Sequence, residues 1–136
     1  MDIEKAREFV RRNHRSVLTT RTPEGGIQQS PVLVSADDQG HLVVSSRETA
    51  YKTKNVRRDP WVRLLLMNDG FFGEWMFVEG RAEVVSLPEA MEPLVEYYRS
   101  ISGEHDDWDA YRAAMEHEKR VVLRIEPERA GPDREG

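Results

Sequence analysis

The sequence contains no cysteine among its 136 residues. Disulfide bonds, thiolate metal sites and a cysteine nucleophile are therefore all excluded. No apolar run approaches membrane-spanning length, and residues 1–5 show no apolar signal region. These absences predict a soluble, cytoplasmic protein. A chain of this length is expected to form one domain with a real core.

The recurring catalytic motifs are also missing. The four histidines are widely scattered and show no metal-ligand spacing. There is no phosphate-cradling loop that ends in Gly-Lys-Ser/Thr and no Gly-x-Ser-x-Gly elbow. The acidic tract 103–107 is more typical of a helix-capping loop than of a cation site. The sequence therefore offers no self-sufficient acid–base or nucleophilic site, and an enzyme of this kind would depend on a cofactor.

The charge distribution points to a small anionic partner rather than to nucleic acid. The formal net charge is −5, whereas nucleic-acid binders usually carry a basic surplus. Within residues 45–60, however, five cations stand against two carboxylates. A short helix in this stretch has two interpretations: a solvated amphipathic connector, or a docking point for a phosphorylated cofactor.

Apolar patterns and turn signals predict six strands and four helices. The hairpin-linked strands, with helices gathered late, indicate an α+β fold built on a six-stranded antiparallel barrel with flanking helices. Residues 1–127 are expected to form the single domain and residues 128–136 a flexible C-terminal tail. The predicted strands are 16–20, 27–35, 41–46, 61–67, 74–86 and 120–127; the predicted helices are 2–13, 49–58, 87–102 and one capped by 106–107.

Three local features carry further predictions. Pro31 cannot donate to a sheet ladder, so it should lie at an edge, bulge or bend. Gly80 lies inside a strand and indicates a bulge or a close backbone approach. The continuous apolar run 61–67 predicts burial on both faces. Among the aromatic residues that follow, Phe77 is expected in the core, whereas Trp75 fits either the core or a cofactor or dimer contact.

In the order and spacing of several segments, the chain resembles the flavin and deazaflavin split-barrel family, also called pyridoxamine-phosphate-oxidase-like. It is most similar to the actinobacterial branch that uses coenzyme F420. The resemblance covers roughly residues 3–127. The segments that carry it are 16–20, 31–32, 52–60, 78–82 and 122–127.

This resemblance implies a six-stranded split barrel that forms a homodimer, with two cofactors bound at the subunit interface and no nucleic-acid or membrane partner. Lys52 would grip the cofactor phosphate, assisted by Ser45, Ser46 and either Lys54 or Asn55. Residues on two neighbouring strands would lie beside the tricyclic ring: Leu18, Thr19 and Thr20 on one, and Ser30, Pro31 and Val32 on the other. Trp75 would reach the cofactor of the partner subunit.

One departure from the family pattern bears on the cofactor. In the oxidases of the family that use flavin mononucleotide (FMN), an arginine immediately precedes the phosphate lysine, but here that position is Tyr51. The loss of a bidentate phosphate partner favours the singly charged phosphodiester of F420. The C-terminal Arg/His substrate motif of pyridoxine-phosphate oxidases is not apparent, so that activity is not predicted.

The function implied is therefore an F420-dependent oxidoreductase that transfers hydride from the reduced deazaflavin to an unsaturated small molecule. The alternatives are an FMN-binding oxidoreductase of the same fold and a non-catalytic carrier of F420 or flavin. No residue is nominated as the proton donor, and the sequence names no substrate.

Overall fold

The computed structural model describes residues 2–131. In chain order the elements alternate between short runs of strands and helices. They are α1 (Asp2–Arg12), β1 (Arg15–Arg21), β2 (Ile27–Ala36), β3 (Leu42–Arg47), α2 (Tyr51–Arg58), β4 (Trp61–Met67), β5 (Trp75–Val85), α3 (Met91–Ser102), α4 (Trp108–Glu118) and β6 (Arg120–Gly131).

The six strands form a closed antiparallel barrel in the order β1-β2-β3-β6-β5-β4. Every neighbouring pair is antiparallel. The predicted six-stranded α+β barrel is thereby confirmed.

Side chains of the strands alternate between the interior and the outer face of the barrel. On β1, Leu18 and Thr20 lie on the inner face and Val17 and Thr19 on the outer face. Thr19 is nevertheless only 7% exposed there and accepts a hydrogen bond from the Gln29 amide at 3.0 Å. The fully buried interior is mostly leucine, valine and isoleucine, and each such side chain contributes roughly 1.5–3 kcal/mol through burial. Interior side chains leave no room for a ring-sized ligand, so a cofactor must lie outside the barrel.

The helices cover the ends and one outer face. At one end, α1 inserts Phe9 and Val10 into the barrel core. At the other end, α2 contributes Val56 to the same core. A second apolar cluster forms where α3 and α4 pack on the outer face of β3 and β6. The acidic tract before α4 is a helix cap as predicted, because Asp107 Oδ1 accepts a hydrogen bond from the Ala110 N–H at 3.0 Å.

The barrel splits between β2 and β3. Residues 27–33 of β2 pair only with β1, whereas the ladder to β3 covers residues 34–36. Pro31 therefore lies on the unpaired part of the strand edge, which confirms the prediction for this proline.

Gly80 lies at a bulge between β5 and β6, as predicted. The register shifts between Glu79 and Gly80. A Cβ atom on Gly80 would stand 2.1 Å from the carbonyl oxygen of Glu126. This close approach of two backbones excludes any side chain at the position.

Two boundaries differ from the sequence prediction. Strand β6 runs to Gly131 rather than ending at residue 127, because residues 129–131 stay paired with β5 beyond the bulge at Glu128. The predicted tail is therefore wrong for 128–131, and its remaining residues, 132–136, lie outside the described part of the chain. Helix α3 begins at Met91 rather than at residue 87, after a turn that contains a cis peptide bond between Leu87 and Pro88.

The prediction that β4 is buried on both faces is wrong for the single chain. The strand alternates, and Leu65 is 38% exposed on the outer surface. In register across β2, β1, β4 and β5, Leu65 belongs to an outer apolar row made of Pro31, Val17, Leu65 and Phe77. Leu65 and Pro31 leave apolar surface in contact with water. Phe77 is only 7% exposed, but it is buried on the outer face beneath the guanidinium groups of Arg63 and Arg129 rather than in the barrel core.

Candidate functional site

The start of α2 is held against the end of β3 by two hydroxyl groups. The Ser46 and Thr53 hydroxyl oxygens lie 2.7 Å apart, and Thr53 Oγ1 donates to the Arg47 carbonyl at 2.7 Å. Both side chains are buried. This pair fixes where the first turn of α2 stands, and with it the position of Lys52.

A buried amide network holds α2 to β1. Asn55 Nδ2 donates to Thr20 Oγ1 at 3.0 Å, and Thr20 in turn donates to Gln28 Oε1 at 2.9 Å. Arg58 donates to Asn55 Oδ1 at 2.8 Å. Asn55 is 1% exposed. Its side chain is therefore committed to the fold, and it would reach a ligand only by giving up these bonds.

The first turn of α2 is electrically positive and uncapped. Ala50 is the N-cap, and among residues 2–131 no side chain bonds the free N–H groups at the helix start. The first turn holds no acidic residue. Such a helix start attracts anions.

Lys52 adds a cation to this turn. Burial lowers the pKa of the Lys52 ammonium, and the positive charge of Arg120 lowers it further. Within residues 2–131, no carboxylate lies within 4.0 Å of this ammonium. Lys52 is thus a half-buried cation without a counter-ion in the part of the chain that the structure describes.

Arg120 reaches the same place from the start of β6. It stands opposite Arg47 in the β3–β6 register. Both arginines donate to one oxygen of Glu118: Arg120 Nε at 2.9 Å and Arg47 Nη2 at 3.5 Å. We call Arg47, Lys52 and Arg120 the basic cluster. Sequence reasoning missed Arg120, since no local pattern marks a residue that lies in a different strand and far along the chain.

Tyr97 of α3 borders the basic cluster and was also missed. Its hydroxyl donates to the Leu33 carbonyl at 2.8 Å, on the open edge of β2. Burial raises the pKa of Tyr97 to about 12, although a hydrogen bond from the Ser45 backbone and the charge of Arg120 oppose that rise. The phenol therefore stays neutral and ties α3 to the split.

The structure divides the sequence-predicted residues into two groups. One group turns its side chains into the barrel, where a cofactor outside would meet only backbone atoms: Leu18, Thr20, Ser30, Val32 and Ser46. The buried Ser30 hydroxyl has no hydrogen-bond partner within the described residues. The other group faces outward and gathers around the split and α2: Thr19, Pro31, Ser45, Lys52 and Lys54.

Trp75 lies at the other end of the barrel. It pairs with Met67, which is level with Arg15 at the start of β1, whereas α2 is bonded to Thr20. Five residues of strand separate these levels, roughly 17 Å at about 3.3 Å per residue. Trp75 is 50% exposed. One chain alone does not bring Trp75 and Lys52 into one site.

A groove of about 650 Å³ lies between α3 and the outer face of β2, β3 and β6. Its lining includes Tyr97 but not Lys52. We therefore place the candidate site at the basic cluster, on open surface beside this groove, because the uncompensated charge lies there. Across residues 2–131, no helix is long and apolar enough to cross a membrane, and no group of three potential ligands could hold a metal ion.

Comparison of the fold with solved structures gives many matches. A conserved hypothetical protein of Mycobacterium tuberculosis, Rv2991, is 25% identical with a TM-score of 0.77, over 96% of this chain and 82% of that one. An F420 reductase is 18% identical with a TM-score of 0.71, over 91% and 94%. The heme storage protein HutZ of Vibrio cholerae is 16% identical with a TM-score of 0.72, over 96% and 94%.

The sequence comparison covers nearly the whole barrel. A family model described as pyridoxamine 5'-phosphate oxidase matches residues 3–132. That range includes every strand and all residues of the basic cluster. The chain therefore belongs to the pyridoxamine 5'-phosphate oxidase family.

Proposed function

We propose that the protein is an F420-dependent oxidoreductase that delivers hydride from the reduced deazaflavin to an unsaturated small molecule. The observation that carries the proposal is Lys52, a half-buried cation at an uncapped helix start, with no carboxylate partner among the described residues 2–131. Such a site favours a phosphate group. The similarity to an F420 reductase supports the choice of cofactor.

The chain's own residues would bind and orient the cofactor. Lys52 and the N–H groups of the first turn of α2 would hold its phosphate. The outward side chains of Thr19 and Pro31, beside the split, would lie along its ring. When bound, the cofactor supplies the hydride, and the protein contributes position and exclusion of water. Such a cofactor is reduced inside cells, so the proposal places the protein in the cytoplasm.

A homodimer is part of the proposal. The outer apolar row and its neighbours Leu33 and Trp75, 45% and 50% exposed, form an apolar surface suited to a second copy of the chain. A second copy would also bring Trp75 toward the cofactor site of its partner, which one chain alone does not do. The site would then be completed at the subunit interface.

FMN is the second candidate cofactor, and Arg120 is the observation that favours it. Tyr51 removes the arginine that precedes the phosphate lysine in the FMN oxidases. Arg120 lies close enough to lower the Lys52 pKa, so it can supply a second cation for a doubly charged phosphate. The third candidate is a non-catalytic carrier of either cofactor.

Titration of the purified protein with F420, FMN and hemin, followed by fluorescence quenching, separates these candidates. We expect F420 to bind most tightly. Tight binding of FMN with none of F420 would refute the preferred cofactor, and selective hemin binding would refute both. Turnover of reduced F420 with a panel of enones and quinones then separates an enzyme from a carrier, since a carrier would bind the cofactor and oxidise none of it.

A further inference from the structure

The corner of the fold that holds the basic cluster is built from two distant segments. Helix α4 ends at Glu118, its C-cap Lys119 has a left-handed φ of 54°, and Arg120 begins β6 directly after it. The Glu48 N–H donates to the Lys119 carbonyl at 2.9 Å, which ties the approach to α2 to this same turn. Arg120 and Lys52 are thus held in one corner by backbone contacts.

The charges in this corner do not balance. Arg47 and Arg120 face Glu118, and a single oxygen of Glu118 accepts from both. Lys52 lies near Arg120, whose positive charge lowers the Lys52 pKa, and has no contact with Glu118. The two arginines lower the pKa of Glu118, with Arg120 the larger cause, so the carboxylate stays ionised. The Glu48 carboxylate at the same turn is already paired with Arg57 at 2.7 Å. The three positive charges of the basic cluster therefore stand against the one negative charge of Glu118, and this surplus suits a further anion.

Arg120 keeps donors free for that anion. Within residues 2–131 only its Nε makes a side-chain hydrogen bond, to Glu118, and its two Nη groups make none. A guanidinium binds phosphate through paired N–H groups, as it binds carboxylate. A phosphate beside Glu118 would meet a like charge at short range, so the two anions compete for Arg120.

We infer that Arg120 is a second ligand of the cofactor phosphate and that Glu118 is a resident counter-ion which the phosphate displaces. This inference rests on the proposed phosphate site at Lys52. It makes Arg120 the replacement for the arginine that Tyr51 removes. In the ligand-free protein, the Glu118 carboxylate would then occupy the position of the phosphate and hold Arg120 in place until an anion binds.

The test compares Arg120→Ala, Arg120→Lys and Glu118→Gln with the wild type. The matched control is Arg112→Ala, which breaks a surface pair with Glu92 (2.7 Å) on α3 and α4, outside the basic cluster. Binding of F420 and FMN is measured by fluorescence quenching. Binding of inorganic pyrophosphate, a probe of the anion site alone, is measured by calorimetry. Thermal unfolding of each variant reports whether it folds.

We expect Arg120→Ala to weaken binding roughly ten- to a hundredfold, the scale of a charge-assisted hydrogen bond. Arg120→Lys should lose less affinity, because lysine keeps the positive charge but lacks the paired N–H groups of the guanidinium. Glu118→Gln should tighten binding about two- to fivefold, since a surface ion pair no longer competes. The control should bind as the wild type does.

The outcomes separate this inference from the proposed function. The role of Arg120 is overturned if Lys52→Ala weakens binding and Arg120→Ala does not. If the alanine variant does not fold, wild-type affinity in Arg120→Lys overturns the same role. Unchanged or weaker binding in Glu118→Gln overturns its role as a displaced counter-ion. If pyrophosphate binds through Arg120 but neither cofactor binds, Arg120 and Glu118 form an anion site of another ligand, and both the proposed function and the assignment of Arg120 to the cofactor phosphate fail. If FMN binds through Arg120 but F420 does not, the inference stands and the proposed F420-dependent function fails. If none of the three probes binds the wild type, both fail.

Discussion

Lys52 shows how one residue acquires a function from its surroundings. A lysine on an exposed helix face carries a solvated charge of little consequence. Here burial and the charge of Arg120 lower its pKa below the ordinary value of 10.5. With no counter-ion among the described residues, the protonated side chain has a higher free energy in the folded protein than in water. An anion that binds beside it relieves that cost, and this preference is the basis of the proposed site.

Lys52→Ala is expected to weaken cofactor binding roughly ten- to a hundredfold, because a charge-assisted hydrogen bond to phosphate is lost. Fluorescence titration measures the affinity. Arg112→Ala, which removes a cation on α4 outside the basic cluster, is the control and should bind normally. Equal affinity in Lys52→Ala and the wild type would refute the phosphate assignment.

The lowered pKa of Lys52 also predicts a pH dependence. The folded lysine loses its proton at lower pH than the unfolded one, so between the two pKa values the unfolded state binds more protons. Stability of the ligand-free protein therefore gains from this group as pH rises toward 10.5. Binding of the anion changes in the opposite direction and weakens over the same range.

Cofactor affinity measured from pH 7 upward checks this prediction. The wild type should lose affinity as the pH approaches 10.5, whereas Lys52→Ala should show a flatter profile. Parallel profiles for the two proteins would show that another group controls binding.

Helix α2 is an element whose position depends on buried polar contacts rather than on a broad apolar face. Its buried side chains are Thr53, Asn55 and Val56. Two of these three are polar, and both bond to neighbouring strands. Polar contacts of this kind are directional, so they set the orientation of the helix as well as its distance from the barrel.

Asn55→Ala is expected to lower the free energy of unfolding by roughly 1–3 kcal/mol, because it leaves the buried Thr20 hydroxyl and the Arg58 donor without their partner. Chemical denaturation measures the change. Lys54→Ala, the neighbouring exposed position, should change stability by less than about 0.5 kcal/mol. Equal stabilities for the two variants would show that the hydrogen bonds of Asn55 do not hold α2 to β1.

At the scale of the whole molecule, the barrel is complete but its surface is uneven. One outer face is covered by α3 and α4. In the outer apolar row two arginines cover Phe77, but Leu65 at its centre is 38% exposed. Trp75 and Lys52 lie at opposite ends of the barrel of one chain. A second copy over this face would cover Leu65 and would also bring Trp75 toward its partner's Lys52.

Leu65→Glu is expected to convert a dimer into a monomer, because a charge at the centre of an apolar interface stays unpaired and desolvated. Light scattering after size-exclusion chromatography measures the mass. Ala113→Glu, on the exposed face of α4, is the control and should remain dimeric. A monomeric wild type, or a dimeric Leu65→Glu, would rule out this interface.

Local patterns in the sequence determined much of the fold. Alternating apolar residues, turn glycines and Pro60 after the basic helix predict six strands and the place of α2 between β3 and β4, because such patterns act over a few residues. Pro31 and Gly80 indicated the open edge and the bulge, since each lacks a group that a regular ladder requires. The family resemblance, which the family match confirms, rests on the order of such segments.

Only the tertiary structure decided which side chains share a site. Strand register turns Thr19 outward and Leu18 inward, and it brings Arg120 beside Lys52 from the far end of the chain. It also commits Asn55 to Thr20 instead of leaving it free for a ligand. The physical reason is that pairing between distant strands sets side-chain direction and proximity, whereas the local sequence sets only the strands themselves.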